Sequence, residues 1–164
     1  MKLGIITAEP TNFVPVKLQE AAVKAGIDAT VYDIAKMVHV ETSAGPYFMY
    51  DGDVLPSLDV VIPRLNEHAL DIKLAMLKRL QLLGTKLINT AESMALCNDK
   101  IASQIKLIDL GMQTPWSAIV HDGNMLEVAL KCAEDAQIKF PMILKTLRGT
   151  HGIGVMKVDS KASL

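Results

Sequence analysis

The sequence predicts an α/β protein built on a parallel sheet, and three observations carry that prediction. Short apolar runs alternate with longer stretches of helical spacing through residues 1–89. The clearest run, DVVIPRL at 59–65, is apolar along its length rather than at every second residue, as strands covered on both faces are. Gly26, Gly84 and Gly111 each follow a helical stretch, where a left-handed C-cap is expected.

Taken in order, residues 3–7 read as a strand and 13–25 as a helix closed by Gly26. ATVYDI at 29–34 is a second strand. In YFMYDGDVL, Asp51 followed by Gly52 is a turn signal between two short β-prone runs. DVVIPRL is the third parallel strand, and ALDIKLAMLKRLQLL at 69–83 is an amphipathic helix closed by Gly84. KLIN at 86–89 is a further strand. Strand–helix–strand connections of this kind cross over with a right hand. Ligands gather at the carboxyl ends of parallel strands, which selects Thr7, Arg64, Asn66 and Asn89. Polar residues end most strands, so position alone leaves each of them open.

From Thr90 the pattern changes to two consecutive helical stretches, TAESMALCN and DKIASQIKLIDLG. The expected organisation is therefore a first domain over 1–93 and a second over 94–164. In the second, MQTPWSAIV reads as a strand entered after Pro115, residues 124–136 as a helix, and FPMILK and IGVMKV as strands.

Composition narrows the functional classes. Of 164 residues, 50% are apolar and 21% charged, which is ordinary for a soluble globular chain. The 17 basic and 18 acidic residues form no block of either sign. A non-specific nucleic-acid or membrane-surface binder is thus disfavoured. Cys97 and Cys132 are isolated and read as buried free thiols, and the nine methionines read as core filler. MKLGIITAEPTNF is interrupted too early for a secretory signal, and no apolar stretch of about 18 residues occurs, so a cytoplasmic protein is expected. Adjacent Glu134 and Asp135, and Asp51 and Asp53 around Gly52, read as solvated surface rather than metal ligands. His39, His68 and His121 are scattered and receive no role.

The segment KTLRGTHGIGV at 145–155 places Gly149, Gly152 and Gly154 between two apolar runs. Its G-x-x-G-x-G order is not the dinucleotide fingerprint, and it lacks the G-K-[ST] of a P-loop. Both of those motifs feed a helix, whereas this loop feeds the β-prone IGVMKV, so the glycines cap a hairpin. Backbone N–H groups without Cβ neighbours can approach a polyphosphate closely, and Lys145 would add a mobile charge. A plain tight turn with a solvated Lys145 fits the loop alone equally well. Lys100 adds weight: it stands in the first turn of a helix that Asp99 would cap, where the dipole favours anions rather than cations.

The series NTAESMALCNDK, IDLGMQTPWSAIV and FPMILKTLRGTHGIGV resembles the start of the ATP-grasp fold. More narrowly, it is similar to the branch containing the ribosomal-protein S6 glutamate ligase (RimK) and its glutathione-synthetase-like relatives. YDGDVLPSLDVVIPRL and LQLLGTKLIN resemble that branch's pre-ATP-grasp domain, so the likeness covers essentially the whole chain. It implies a pre-ATP-grasp Rossmann-like parallel sheet followed by the start of an ATP-grasp α+β nucleotide-binding subdomain. Lys100 matches the first nucleotide lysine, facing the phosphates, and Lys145 the second, near the α-phosphate and adenine. Gly149, Thr150, His151, Gly152, Ile153 and Gly154 match the loop that closes over the β- and γ-phosphates. At His151 relatives often carry Gln. Arg64 matches a position at the edge of the acceptor site, and Asn66 beside it joins the substrate-binding set.

The chemistry so implied is ligation of a carboxylate to an amine with ATP and Mg2+, through an acyl phosphate. Glutamate or another amino acid would be added to a peptide or protein terminus. A homo-oligomer is implied as well, since relatives are commonly oligomeric. The family's adenine hinge, magnesium ligands and later arginine match nothing up to Leu164. The chain is therefore expected to be the N-terminal part of such a ligase, with its metal ligands downstream. The competing expectation is a non-catalytic α/β binding module derived from one. A nucleotide-dehydrogenase domain is disfavoured, because TAEPTNF after the first strand holds no glycine.

Overall fold

The computed structural model describes residues 1–147 and 152–164, which fall into two compact units, Met1–Leu96 and Cys97–Leu164. The first is built on a four-stranded sheet of β1 (Lys2–Thr7), β2 (Asp28–Asp33), β6 (Val60–Arg64) and β7 (Lys86–Leu87) in the order β2-β1-β6-β7. Three further short strands, β3 (Met37–Val40), β4 (Tyr47–Tyr50) and β5 (Asp53–Val54), form an antiparallel sheet. All pairings in the larger sheet are parallel, as the apolar character of its strands predicts.

Two helices cover the two faces. Along β1, Leu3 and Ile5 alternate with Gly4 and Ile6, and all but Gly4 are core residues at 7% exposure or less. Leu3 packs with Ala22 of α1 (Phe13–Lys24) and Ala29 of β2. Ile6 and Val61 pack with Leu77 and Leu80 of α2 (Leu70–Leu82), and the same cluster takes in Met37 and Phe48 of the antiparallel sheet and Leu55 just beyond it. Burying a side chain such as Leu77, 1% exposed, contributes about 1.5–3 kcal/mol. A Cβ at Gly4 would meet Leu58 Cδ1 at 2.7 Å and Val61 Cγ2 at 3.2 Å, so these side chains pack directly over the glycine and would have to shift to admit one.

Strand order sets up a crevice. The chain runs from β1 outward to β2, then returns to β6 on the other side of β1. Connections therefore leave β1 in opposite directions, and α1 and α2 lie on opposite faces. The carboxyl ends of β1 and β6 at that reversal hold Thr7 and Arg64, which are partners in register.

Expected turns form as read. Asp51 and Gly52 adopt φ of 51° and 97° between β4 and β5, and the exposed Asp51 carboxylate bonds Lys36 Nζ at 2.7 Å. β3 has no counterpart in the sequence reading. It pairs with β4 across the 41–46 connection, where Gly45 N donates to Thr42 O at 3.0 Å, and no strong local pattern announces it.

The second unit contains the C-terminal end of α3 (Ala91–Asn98), α4 (Lys100–Asp109), α5 (Leu126–Asp135) and a hairpin of β8 (Met142–Lys145) and β9 (Val155–Val158). Its buried apolar residues are Leu130, Ala133 and Val158 among those described. α4 buries none of its residues and exposes Ile105 and Ile108.

Three expectations are corrected. Residues 116–120, read as a strand entered after Pro115, make no ladder pairing. Extended, β-prone chain becomes a strand only against a partner, and here the segment is held by Gln104 Nε2 donating to Pro115 O at 3.4 Å. Cys97 and Cys132 are free but exposed rather than buried. Cys132 lies on the side of α5 away from Leu130 and Ala133. Of the methionines, Met37 is buried, whereas Met1, Met112, Met125 and Met156 are exposed.

Candidate functional site

Asp99 fixes the entrance to α4. Its carboxylate accepts from the N–H groups of Ile101 and Ala102, both at 2.9 Å. This is the N-cap expected of an aspartate preceding a helix. The cap defines where the first turn begins, and Lys100 is its first residue. From there Lys100 Nζ donates to the carbonyl of Leu147 at 3.3 Å. Lysine and hairpin are 47 residues apart in sequence yet meet at the end of β8.

Lys145 is the last residue of β8, exposed, and in register with Val155. Beyond it, Thr146 N donates to Gly154 O at 2.8 Å, which closes the base of the loop. Gly152 and Gly154 have φ of 79° and 72°, a conformation in which glycine is strongly favoured. Gly154 also lies against the Thr146 side chain, with no space for a Cβ. Ile153 between them is 74% exposed. Gly149, Thr150 and His151 lie outside the described residues.

The structure thus gathers Lys100, Lys145 and the Gly152-to-Gly154 segment around one hairpin mouth in the second unit. Lysine ammonium groups and glycine backbone N–H groups are the donor types that an anion with several oxygens, such as a polyphosphate, needs. Among the described residues no group of three or more His, Cys, Asp or Glu could hold a metal ion.

Arg64 and Asn66 belong to the first unit. Arg64 ends β6 with its side chain exposed, and Asn66 follows two residues later. Asn66 Oδ1 accepts from Lys73 Nζ at 2.5 Å. Lys73 was not singled out in the sequence, where a lysine in an amphipathic helix reads as part of its polar face. Its spacing held the signal: it stands four residues before Leu77 and seven before Leu80, on the buried stripe of α2. His39, without a role in the sequence reading, stacks on Phe48 at 4.8 Å.

The sequence profile of the RimK PreATP-grasp domain matches residues 1–94, more than half of the chain. The chain belongs to the RimK pre-ATP-grasp family. Over 160 residues it is 29% identical to a probable alpha-L-glutamate ligase of Marinomonas sp. (strain MWYL1), covering 98% of this chain and 52% of that protein. The chain spans about half the length of the curated relatives it matches. The crystal structure of a RimK domain protein ATP-grasp from Sphaerobacter thermophilus DSM 20745 superposes with a TM-score of 0.69 at 23% identity, covering 99% of this chain and 57% of the other. ATP-grasp ligase PsnB, solved with precursor peptide PsnA2 and AMPPNP, gives 0.67 at 17% identity, covering 98% and 59%. At these identities the likeness establishes the fold. The parallel sheet of the RimK domain described above, with its hairpin-bearing second unit, is that fold, as the sequence led one to expect. Among the described residues no helix is long and apolar enough to cross a membrane.

Proposed function

We propose that this chain is the N-terminal part of an ATP-dependent carboxylate–amine ligase that adds glutamate or another amino acid to a peptide or protein terminus. The observation that carries the reading is the Lys100 bond to Leu147 O at the mouth of the glycine hairpin, with Lys145 at the same strand end. A relative named for alpha-L-glutamate ligation, and a ligase solved with a precursor peptide and AMPPNP, support it.

In this reading ATP supplies the phosphoryl group. A carboxylate oxygen of the acceptor attacks the γ-phosphorus, the bond to the β-phosphate oxygen breaks, and ADP leaves. The amine nitrogen then attacks the acyl carbon, phosphate departs with the former carboxylate oxygen, and the amine loses a proton. The chain's own contribution is electrostatic positioning. Lys100, anchored from α4, faces the phosphates, while Lys145 reaches the α-phosphate. Gly152 and Gly154 present backbone N–H groups without a side chain in the way. Such pre-placed charge is the main device available in phosphoryl transfer. Magnesium would be held by residues downstream of Leu164, in a cytoplasmic and oligomeric enzyme.

The test is Lys145→Ala in the full-length protein. Because Lys145 is exposed at a strand end, the fold should be kept and ADP release should fall about 100-fold or more. Unchanged ADP release would contradict the reading. A wild-type protein that binds a protein partner but releases no ADP would favour a non-catalytic binding module.

A further inference from the structure

We infer that Lys73 receives a carboxylate of the acceptor, which makes it a specificity residue for an acidic substrate; this rests on the ligase reading above. Lys73 is only 8% exposed and occupies the core-facing stripe of α2 with Leu77 and Leu80. A leucine or methionine there would continue the apolar stripe at no electrostatic cost. A buried ammonium is costly unless a counter-charge or several acceptors compensate it. Among the described residues Lys73 has one hydrogen bond, to the neutral Asn66 Oδ1 at 2.5 Å, and no ion pair. Nearby Glu67 and Asp71 are exposed, and neither pairs with it.

Position supplies the second observation. Asn66 follows Arg64, and Arg64 ends β6 opposite Thr7 of β1, where the strand order reverses. Such a reversal, at the carboxyl ends of parallel strands, is where this class of sheet binds ligands. Lys73 and Asn66 are joined by their hydrogen bond, and Arg64, exposed at the end of β6, stands two residues before Asn66, so this segment carries a guanidinium, an amide and an ammonium. None of them needs another cation or a metal to hold a carboxylate. Asn66 accepts from Lys73 through its oxygen, which leaves its two amide N–H donors to serve the same ligand.

The experiment uses full-length protein and measures ATP binding and binding of the dipeptide Glu-Glu by calorimetry, in wild type, Lys73→Met and Asn66→Ala. Met matches the length of the lysine stem and suits the apolar stripe, while Asn66 is exposed and its truncation spares the core. Lys73→Met should bind Glu-Glu roughly 10- to 100-fold more weakly, the loss of one charge-assisted bond, with ATP affinity unchanged. Asn66→Ala should weaken Glu-Glu in the same direction by a smaller factor. Unchanged Glu-Glu affinity in both variants, with ATP bound normally, overturns the role of Lys73 and leaves the ligase reading standing. Should Lys73→Met fail to fold, Asn66→Ala decides by itself on the same criterion. A wild type that binds ATP but not Glu-Glu also overturns the inference, and one that binds no ATP overturns the ligase reading with it.

Discussion

Thr146 and Gly154 form the clasp of the hairpin: Thr146 N donates to Gly154 O at 2.8 Å, and a Cβ on Gly154 would come within 2.8 Å of Thr146 Cγ2. With φ at 72°, Gly154 is doubly constrained to be glycine. Gly154→Ala should therefore strain the clasp by about 1–3 kcal/mol and displace the loop end that follows Lys145. The expected result in the full-length protein is a raised KM for ATP with a modest drop in Tm. An unchanged KM would mean that the clasp does not shape the nucleotide site.

The Asp99 cap presents Lys100. Asp99→Ala removes the acceptor of two N–H bonds at 2.9 Å and should destabilise the start of α4 by about 1 kcal/mol. Amide hydrogen exchange at Ile101 and Ala102 should speed up, while exchange in β1 stays as it was. Uniform acceleration along the chain would show instead that α4 and the sheet open together.

Burial pushes the Tyr32 hydroxyl above its ordinary value of 10.0, and the neighbouring Asp28 and Tyr50 add to this against a bond with Thr30 that lowers it. The native state thus holds this proton more tightly than the unfolded chain. Its contribution to stability is fully present below about pH 10 and is lost as pH rises through the folded-state value. Tyr32→Phe should flatten the alkaline fall in the urea midpoint, measured from neutral pH to above pH 10. An identical alkaline slope in the variant would place the sensitivity elsewhere.

What the sequence made legible follows from where the information was local. β1, β6 and α2 were readable because their apolar spacing lies within single segments, and Gly26, Gly84 and Gly111 take positive φ where helices stop. Asp99 as a cap and Asp51 with Gly52 as a turn were readable for the same reason. β3 was not, because its register against β4 depends on a partner, and residues 116–120 were misread because they have no pairing strand among the described residues. The exposure of Cys97 and Cys132 depends on which helix face finds cover, which no local pattern states. At the candidate sites, Lys100 and Lys145 were named from motif order, and their approach to one hairpin mouth could only be seen in three dimensions. Lys73 was missed because a lysine in an amphipathic helix reads as part of its polar face, although its offset from Leu77 placed it on the buried stripe.

The central claim is that the whole protein activates a carboxylate by phosphorylating it. The most direct measurement supplies the full-length protein with ATP, Mg2+, an amino acid and a peptide acceptor whose reacting carboxylate carries 18O, and weighs the released phosphate. An acyl phosphate route predicts one 18O in phosphate for each amide bond formed, with ADP as the nucleotide product. Amide formation with unlabelled phosphate, or with AMP in place of ADP, would contradict it.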